Sequence, residues 1–326
     1  MDGLIRRLSP VLHLTRMTTA FAAVGNTWFV ILWSRAAAME QDTAPEAVLT
    51  LGLPAALGAG ALVAVGLYTF AVALNDTLDV RRDRTLHPER PLPSGRMRPE
   101  SAVTLVAASL VVAALGASVL GIDAVTLCLL TAGAILLFNS AARYVPSVGL
   151  VLLGLIYAAH MLIANVQLVF VWPVWLAMTH ALIVGAVTHV LGGRRPTLSG
   201  RVLVVAAAGW LFWSSVLLWV GMRRAGSFWP ESVSLRSAGL IALLVLAFGF
   251  LAWWKARAAR TPGRAAEKIH RYGSLWLTLY ATGWMLGEQL TTEAMILGGL
   301  ALVGFTGMTT LREVYSLLEF PVGYRR

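Results

Sequence analysis

Asn75, Asp76, Asp79 and Asp83 place three carboxylates and an amide within two turns of chain, where an apolar run ends. Asn75, Asp79 and Asp83 are spaced by four, and Asp76 and Asp79 by three, so on a helix they share a face. Like charges at that spacing repel by a few tenths of a kcal/mol per pair in water, and by more beside a bilayer. Something positive must offset them. A divalent cation is one candidate, since hard oxygen ligands that leave positions open suit Mg²⁺ bridging to a phosphate. Arg81, Arg82 and Arg84 are the other, as surface ion pairs worth little. The chain continues His87-Pro88-Glu89-Arg90-Pro91-Leu92-Pro93-Ser94-Gly95-Arg96. This is a stiff basic turn from which Arg90 and Arg96 can fork onto phosphate oxygens.

The elements that must hold these residues are membrane spans. The 326-residue chain is 58% hydrophobic and only 13% charged, against about 25% charged in a soluble domain. Apolar runs long enough to cross a bilayer recur along it, near 15–35, 49–74, 101–120, 122–141, 147–170, 173–192, 201–221, 236–255, 273–289 and 293–311. The expected fold is all-α: a polytopic transmembrane bundle of nine to ten spans, forming one domain over residues 1–326. Arg6, Arg7 and Arg16 precede an apolar run and Ala36-Ala37-Ala38, as in a signal peptide. The run over 17–34 exceeds an ordinary h-region of about 7 to 15 residues and reads as an uncleaved first span.

With the N-terminus in the cytoplasm, the inside loops hold 22 of the 26 Lys and Arg, which obeys the positive-inside rule. Only Arg35, Arg223, Arg224 and Arg236 fall outside. That rule accounts for the net charge of +10 without nucleic acid. Trp28, Trp33, Trp172, Trp175 and Trp229 lie near span ends, as interfacial anchors do. The single cysteine, Cys128, allows no internal disulfide. Abundant Ala, Leu and Arg with two lysines point to a GC-rich bacterial genome, hence an inner membrane with the acidic loop cytoplasmic.

N-D-x-x-D-x-x-x-D followed by R-P-x-P-S-G-R, after the second span of such a protein, resembles the UbiA superfamily of intramembrane prenyltransferases. The resemblance is close over residues 75–96 and extends along the chain through span order. It implies a UbiA-like fold and transfer of an isoprenyl group from an isoprenyl diphosphate to a hydrophobic acceptor, aromatic or lipid. It also implies Mg²⁺ held by Asn75, Asp79 and Asp83 as the catalytic set, with Asp76 a neighbour and Arg90 a diphosphate contact. Asn139 and Arg143 fall where the family often has an aromatic–basic pair, although the aromatic here is Phe138. Arg16 matches a common basic position, and also suits a membrane-surface anchor.

The family usually carries a second Asp-rich motif after the sixth span. Here that loop reads THVLGGRRPTLSGR, residues 188–201, and holds no acid. Arg194 and Arg195 can substitute for a second metal by binding phosphate directly, with Gly192-Gly193 letting backbone approach and His189 adjoining. Alternatively they only enforce topology, or the protein is a non-catalytic UbiA-fold membrane protein that binds a lipid or partner. In the fifth span Tyr157, His160, Ala164 and Gln167 fall on one face, with Asn165 beside it, and in the sixth His180 and Thr188 share a face. His13, His87 and His270 are isolated and receive no ligand role. Glu288 falls on the opposite side from the acidic loop. Charged residues gathered at one membrane face, not the midplane, argue against a transporter.

Overall fold

The computed structural model describes residues 20–37 and 44–319, with side chains placed to residue 310. Arg16 and the start of the first expected span lie outside the described residues. The helices, in chain order, are α1 (Ala20–Ala36), α2 (Glu46–Thr50), α3 (Leu53–Leu78), α4 (Val80–Leu86), α5 (Pro99–Leu120) and α6 (Ile122–Ser140). They continue as α7 (Pro146–Leu162), α8 (Trp172–Leu191), α9 (Gly200–Ala225), α10 (Leu235–Ala258), α11 (Pro262–Gly287) and α12 (Thr291–Glu319). No strand occurs among the described residues.

Among the described residues, ten long helices overlap the ten expected spans. Seven of them, α3, α5, α6, α8, α9, α10 and Thr291–Thr310 of α12, are long and apolar enough to cross a bilayer. The remaining three, α1, α7 and α11, are shorter or carry charges at one end. They sit inside the bundle, where polar residues are tolerated. The chain is a multi-pass, all-helical membrane bundle.

Neighbouring contacts form a ring: α1 packs on α3, α7, α11 and α12, α3 on α6, α6 on α7, α7 on α8, and α8 on α11. α5 packs outside α3, and α10 outside α11. The α3–α5 contact is backbone-close. A Cβ on Gly66 would lie 2.7 Å from the Ala113 nitrogen, and one on Gly116 2.7 Å from the Ala59 carbonyl oxygen. Small residues let transmembrane helices approach in this way.

Three expectations need correction. The fifth helix ends at Leu162 rather than near 170. The Asn165 side chain takes over the backbone there, accepting from Gln167 N at 2.9 Å and donating to Ser34 Oγ. Ala164 and Gln167 therefore do not continue the Tyr157–His160 face. The ninth expected span, 273–289, begins much earlier, at Pro262: Thr261 caps the helix by accepting from Arg264 N, and proline suits its first position. The Trp residues are also more than interfacial anchors. Trp33 is 4% exposed, and Phe170 stacks on it at 4.9 Å and meets Trp284 edge-on at 5.0 Å, with Trp229 beside them. Ring–ring packing buries the apolar bodies, and Trp172 and Trp229 satisfy their N–H groups on the Phe228 and Val233 carbonyls.

Two of the four arginines expected outside have structural partners. Arg35 donates to the Val48 and Leu51 carbonyls, and Arg224 to those of Val166 and Leu168. Each holds a loop at the end of the bundle opposite the acidic residues.

Candidate functional site

α3 runs past residue 74 and stops at Asp79, whose φ of −87° and ψ of 0° bend the chain before α4 resumes. The bend preserves the spacing of four. Asp79 N donates to the Asn75 carbonyl at 3.0 Å and Asp83 N to that of Asp79 at 2.8 Å. Asn75, Asp79 and Asp83 consequently line one cavity of about 1140 Å³. Asp76 faces away, buried, within 3.0 Å of the Asn75 amide nitrogen that donates to it.

The proline-rich turn is pinned to the bundle. Leu92 and Met97 are buried against Ala73 of α3 and Ala102 of α5. Gly95, at φ +74°, makes the reversal that an L side chain would strain. This anchoring delivers Arg90 to the acids: its Nη1 donates to Asp83 Oδ2 at 2.6 Å and lies 3.7 Å from Asp76 Oδ1. Arg96 has a different place. It lies outside the cavity lining and donates to Ser94 Oγ and to the Glu89 carbonyl, closing the turn on itself.

Arg143 comes from the short 3-10 turn Ala142–Tyr144 between α6 and α7. Gly149 of α7 admits that turn, for a Cβ there would meet the Ala142 oxygen at 3.0 Å and Arg143 Cα at 3.1 Å. The guanidinium forks onto both Asp79 carboxylate oxygens, one of them at 2.9 Å, and also donates to Asn75 Oδ1 at 2.6 Å and to the Tyr144 hydroxyl. Burial opposes its charge, but Asp79 and then Tyr144 outweigh burial and hold its pKa above the ordinary arginine value. Its Nε is enclosed and has no hydrogen-bond partner among the described residues. Asn139 lines the same wall.

The acid-free loop forms another wall. Gly193, at φ +59°, ends α8, with Arg194 N donating to the His189 carbonyl. Gly192, Gly193, Arg194, Arg195 and His189 all line the cavity, and the His189 ring bonds the Pro196 carbonyl at 2.8 Å. His180 is different: it is buried between Gly273 and Tyr280. Thr188 bonds its own helix.

The first three turns of α11, ahead of the expected span at 273–289, bring further residues to the site. Glu267, His270, Arg271 and Ser274 line the cavity mouth, with Arg271 paired to Glu267. Their spacing of three, one and three is a helical stripe, and Thr261-Pro262 marks the helix start ahead of it. Both signals stand in the sequence. Its charges give the segment the look of a loop, and the helix gives His270, isolated in the sequence, neighbours at the cavity. His87 also lines the cavity. Glu288 accepts from Ser234 N and Ser237 Oγ at the start of α10.

The lining thus sets Arg82, Arg90, Arg143, Arg194, Arg195 and Arg271 against Asp79, Asp83 and Glu267, a surplus of cations suited to an anion. The Asn75 amide oxygen and the Asp79 and Asp83 carboxylates are the hard donors Mg²⁺ takes, a partial set that leaves positions for phosphate and water. Among the described residues, no three acid, histidine or cysteine side chains converge closely enough to hold a metal by themselves. Guanidinium groups neutralise the acids instead. Below the mouth the walls turn apolar, with Ala71, Val72, Ile135, Leu150, Leu153 and Ile156.

No protein-family model and no curated protein matches the chain. A solved structure described as digeranylgeranylglyceryl phosphate synthase in membranes does match in shape. It has a TM-score of 0.54 and 17% identity over 86% of this chain and 98% of that one. A UbiA homolog from Archaeoglobus fulgidus, bound to DMAPP and Mg²⁺, aligns over 91% of this chain and 98% of its own, at 16% identity and a TM-score of 0.45. The all-helical fold expected from the sequence is the fold this chain adopts, and it is shared with that synthase structure.

Proposed function

We propose that the chain is a membrane prenyltransferase that moves an isoprenyl group from an isoprenyl diphosphate to a hydrophobic acceptor, aromatic or lipid. The observation that carries this reading is the convergence of Asn75, Asp79 and Asp83 with Arg90, Arg143, Arg194 and Arg195 at the mouth of a cavity whose deeper walls are apolar. One ligand has both halves of that chemistry, a diphosphate head on a hydrocarbon tail. The likeness in fold to a membrane synthase supports the same reading.

Asn75, Asp79 and Asp83 would hold Mg²⁺, which when bound neutralises the charge that builds on the departing diphosphate. Arg143 and Arg90 then move from carboxylates to phosphate oxygens, and Arg194 and Arg195 serve in place of a second acidic motif. The C1–O bond breaks and the oxygen keeps the electron pair. The acceptor's nucleophile bonds to the allylic C1, and the proton it sheds leaves with pyrophosphate. The cations are placed before the charge develops, which is where preorganisation lowers a barrier most. The apolar walls keep water from the allylic cation. The mouth faces the cytoplasm, by the distribution of Lys and Arg.

A second reading, a UbiA-fold protein that binds a lipid or partner without turnover, is favoured by one observation: Asp79 and Asp83 are already neutralised by Arg143 and Arg90. Product analysis separates the two. Purified protein is incubated with prenyl diphosphates, Mg²⁺ and a membrane-lipid extract, and prenylated products are sought by mass. Transfer gives a product that needs Mg²⁺ and Asp79. Binding of donors with no product from any of them would favour the second reading.

A further inference from the structure

Polar side chains also line the cavity far from its mouth: Asn26 of α1, Tyr68 of α3, and Tyr157 and His160 of α7. Pro146 is at the mouth, so at 1.5 Å per residue Tyr157 lies about 16 Å and His160 about 21 Å deeper along α7. Along α3, Tyr68 lies about 16 Å below Asp79 by the same rise. Two helices thus bring Tyr68 and Tyr157 to one depth beneath an apolar stretch, with His160 about 5 Å deeper, and Asn26 joins them in lining the cavity: a polar collar. His160 is only 9% exposed, and its Nε2 has no hydrogen-bond partner among the described residues. An enclosed polar atom within a bundle is costly unless something in the cavity satisfies it.

We propose that this collar, with His160 at its base, sets the donor's tail length by polarity rather than by lack of room. The inference rests on the reading of the mouth as a diphosphate site. At about 1140 Å³ the cavity lies just above the range of small-molecule sites, about 300 to 1,000 Å³. An extended isoprenoid built of C–C bonds of about 1.5 Å advances roughly 5 Å per unit. With its head at Asp79 and Arg143, a farnesyl tail ends at the collar, and water can fill the space beyond and bond the imidazole. A geranylgeranyl tail, about 20 Å long, reaches His160, expels that water and leaves hydrocarbon against an unpartnered ring nitrogen. The substrate class is a donor of two or three isoprene units.

The test is the affinity of the full chain in detergent, with Mg²⁺, for geranyl, farnesyl and geranylgeranyl diphosphate. Wild type favours the two shorter donors. His160→Leu shifts the preference toward geranylgeranyl by about tenfold, and His160→Gln, which keeps a polar group, retains the wild-type order. Tyr157→Phe moves it in the same direction as His160→Leu, and decides the matter if His160→Leu does not fold. Unchanged preference in His160→Leu and Tyr157→Phe, at preserved affinity, would overturn the inference alone. Failure of every donor to bind wild type and variants would remove the reading of the mouth, and this inference with it.

Discussion

Arg143 grips both carboxylate oxygens of Asp79 across 64 residues of sequence, and it does so at the junction of α3 and α4 where a substrate phosphate would arrive. Their side chains are 15% and 12% exposed, so the pair is well shielded from water. The guanidinium occupies the electrostatic position that Mg²⁺ and diphosphate would share. Removing it leaves Asp79 without its cation, at a cost of about 3 kcal/mol. Arg143→Ala is therefore expected to unfold at lower temperature in detergent, and to gain more from added Mg²⁺ than wild type does. An equal Mg²⁺ response in the two proteins would show that Arg143 does not compete with the ion.

Arg90 and Arg96, paired in the sequence motif, part company in the fold. Arg90→Ala removes a cation from the cavity and is expected to lower turnover about 100-fold, as loss of one preorganised donor does. Arg96→Ala opens an exposed turn that Arg96 closes through Glu89 and Ser94, costing about 1 kcal/mol with the affinity for diphosphates kept. Titrating both variants with inorganic pyrophosphate and Mg²⁺ separates the two roles.

The α11 stripe gives a third expectation. Arg271→Ala should weaken pyrophosphate binding about tenfold, through loss of a cation at the mouth. Glu267→Gln, which frees that cation from its ion pair, should tighten it. Isothermal titration of both variants checks the opposite signs.

These residues mark what the sequence did and did not reveal. The acidic face was legible because a spacing of four survives the bend at Asp79, and the bundle was legible because lipid demands long apolar helices. The α11 stripe is hidden because its charges resemble those of a loop, although Thr261 and Pro262 signal a helix start. The early end of α7 turns on the Asn165 side chain and its tertiary bond to Ser34, which no local pattern encodes. Arg143 meets Asp79 only through the packing of α6 on α3 and of α7 on α6, and Gly149 permits it for a reason visible only in three dimensions.

The α3–α5 contact predicts stability directly. Gly66→Ala and Gly116→Ala each place a Cβ 2.7 Å from backbone of the facing helix, forcing the helices apart at about 1–3 kcal/mol. Gly133→Ala on α6 meets nothing within 4 Å and should be neutral or stabilising, since alanine favours helix by about 1 kcal/mol. Thermal unfolding of the three variants measures the contrast.

The most direct measurement is pyrophosphate release from farnesyl diphosphate by the purified protein in lipid, with and without Mg²⁺, for wild type, Asp79→Asn and Arg194→Ala/Arg195→Ala. The account predicts release by wild type that requires Mg²⁺, vanishes in Asp79→Asn and falls about 100-fold or more in the double variant. Release that persists unchanged in Asp79→Asn, or wild-type protein that binds the donor and releases nothing with any acceptor supplied, would contradict it.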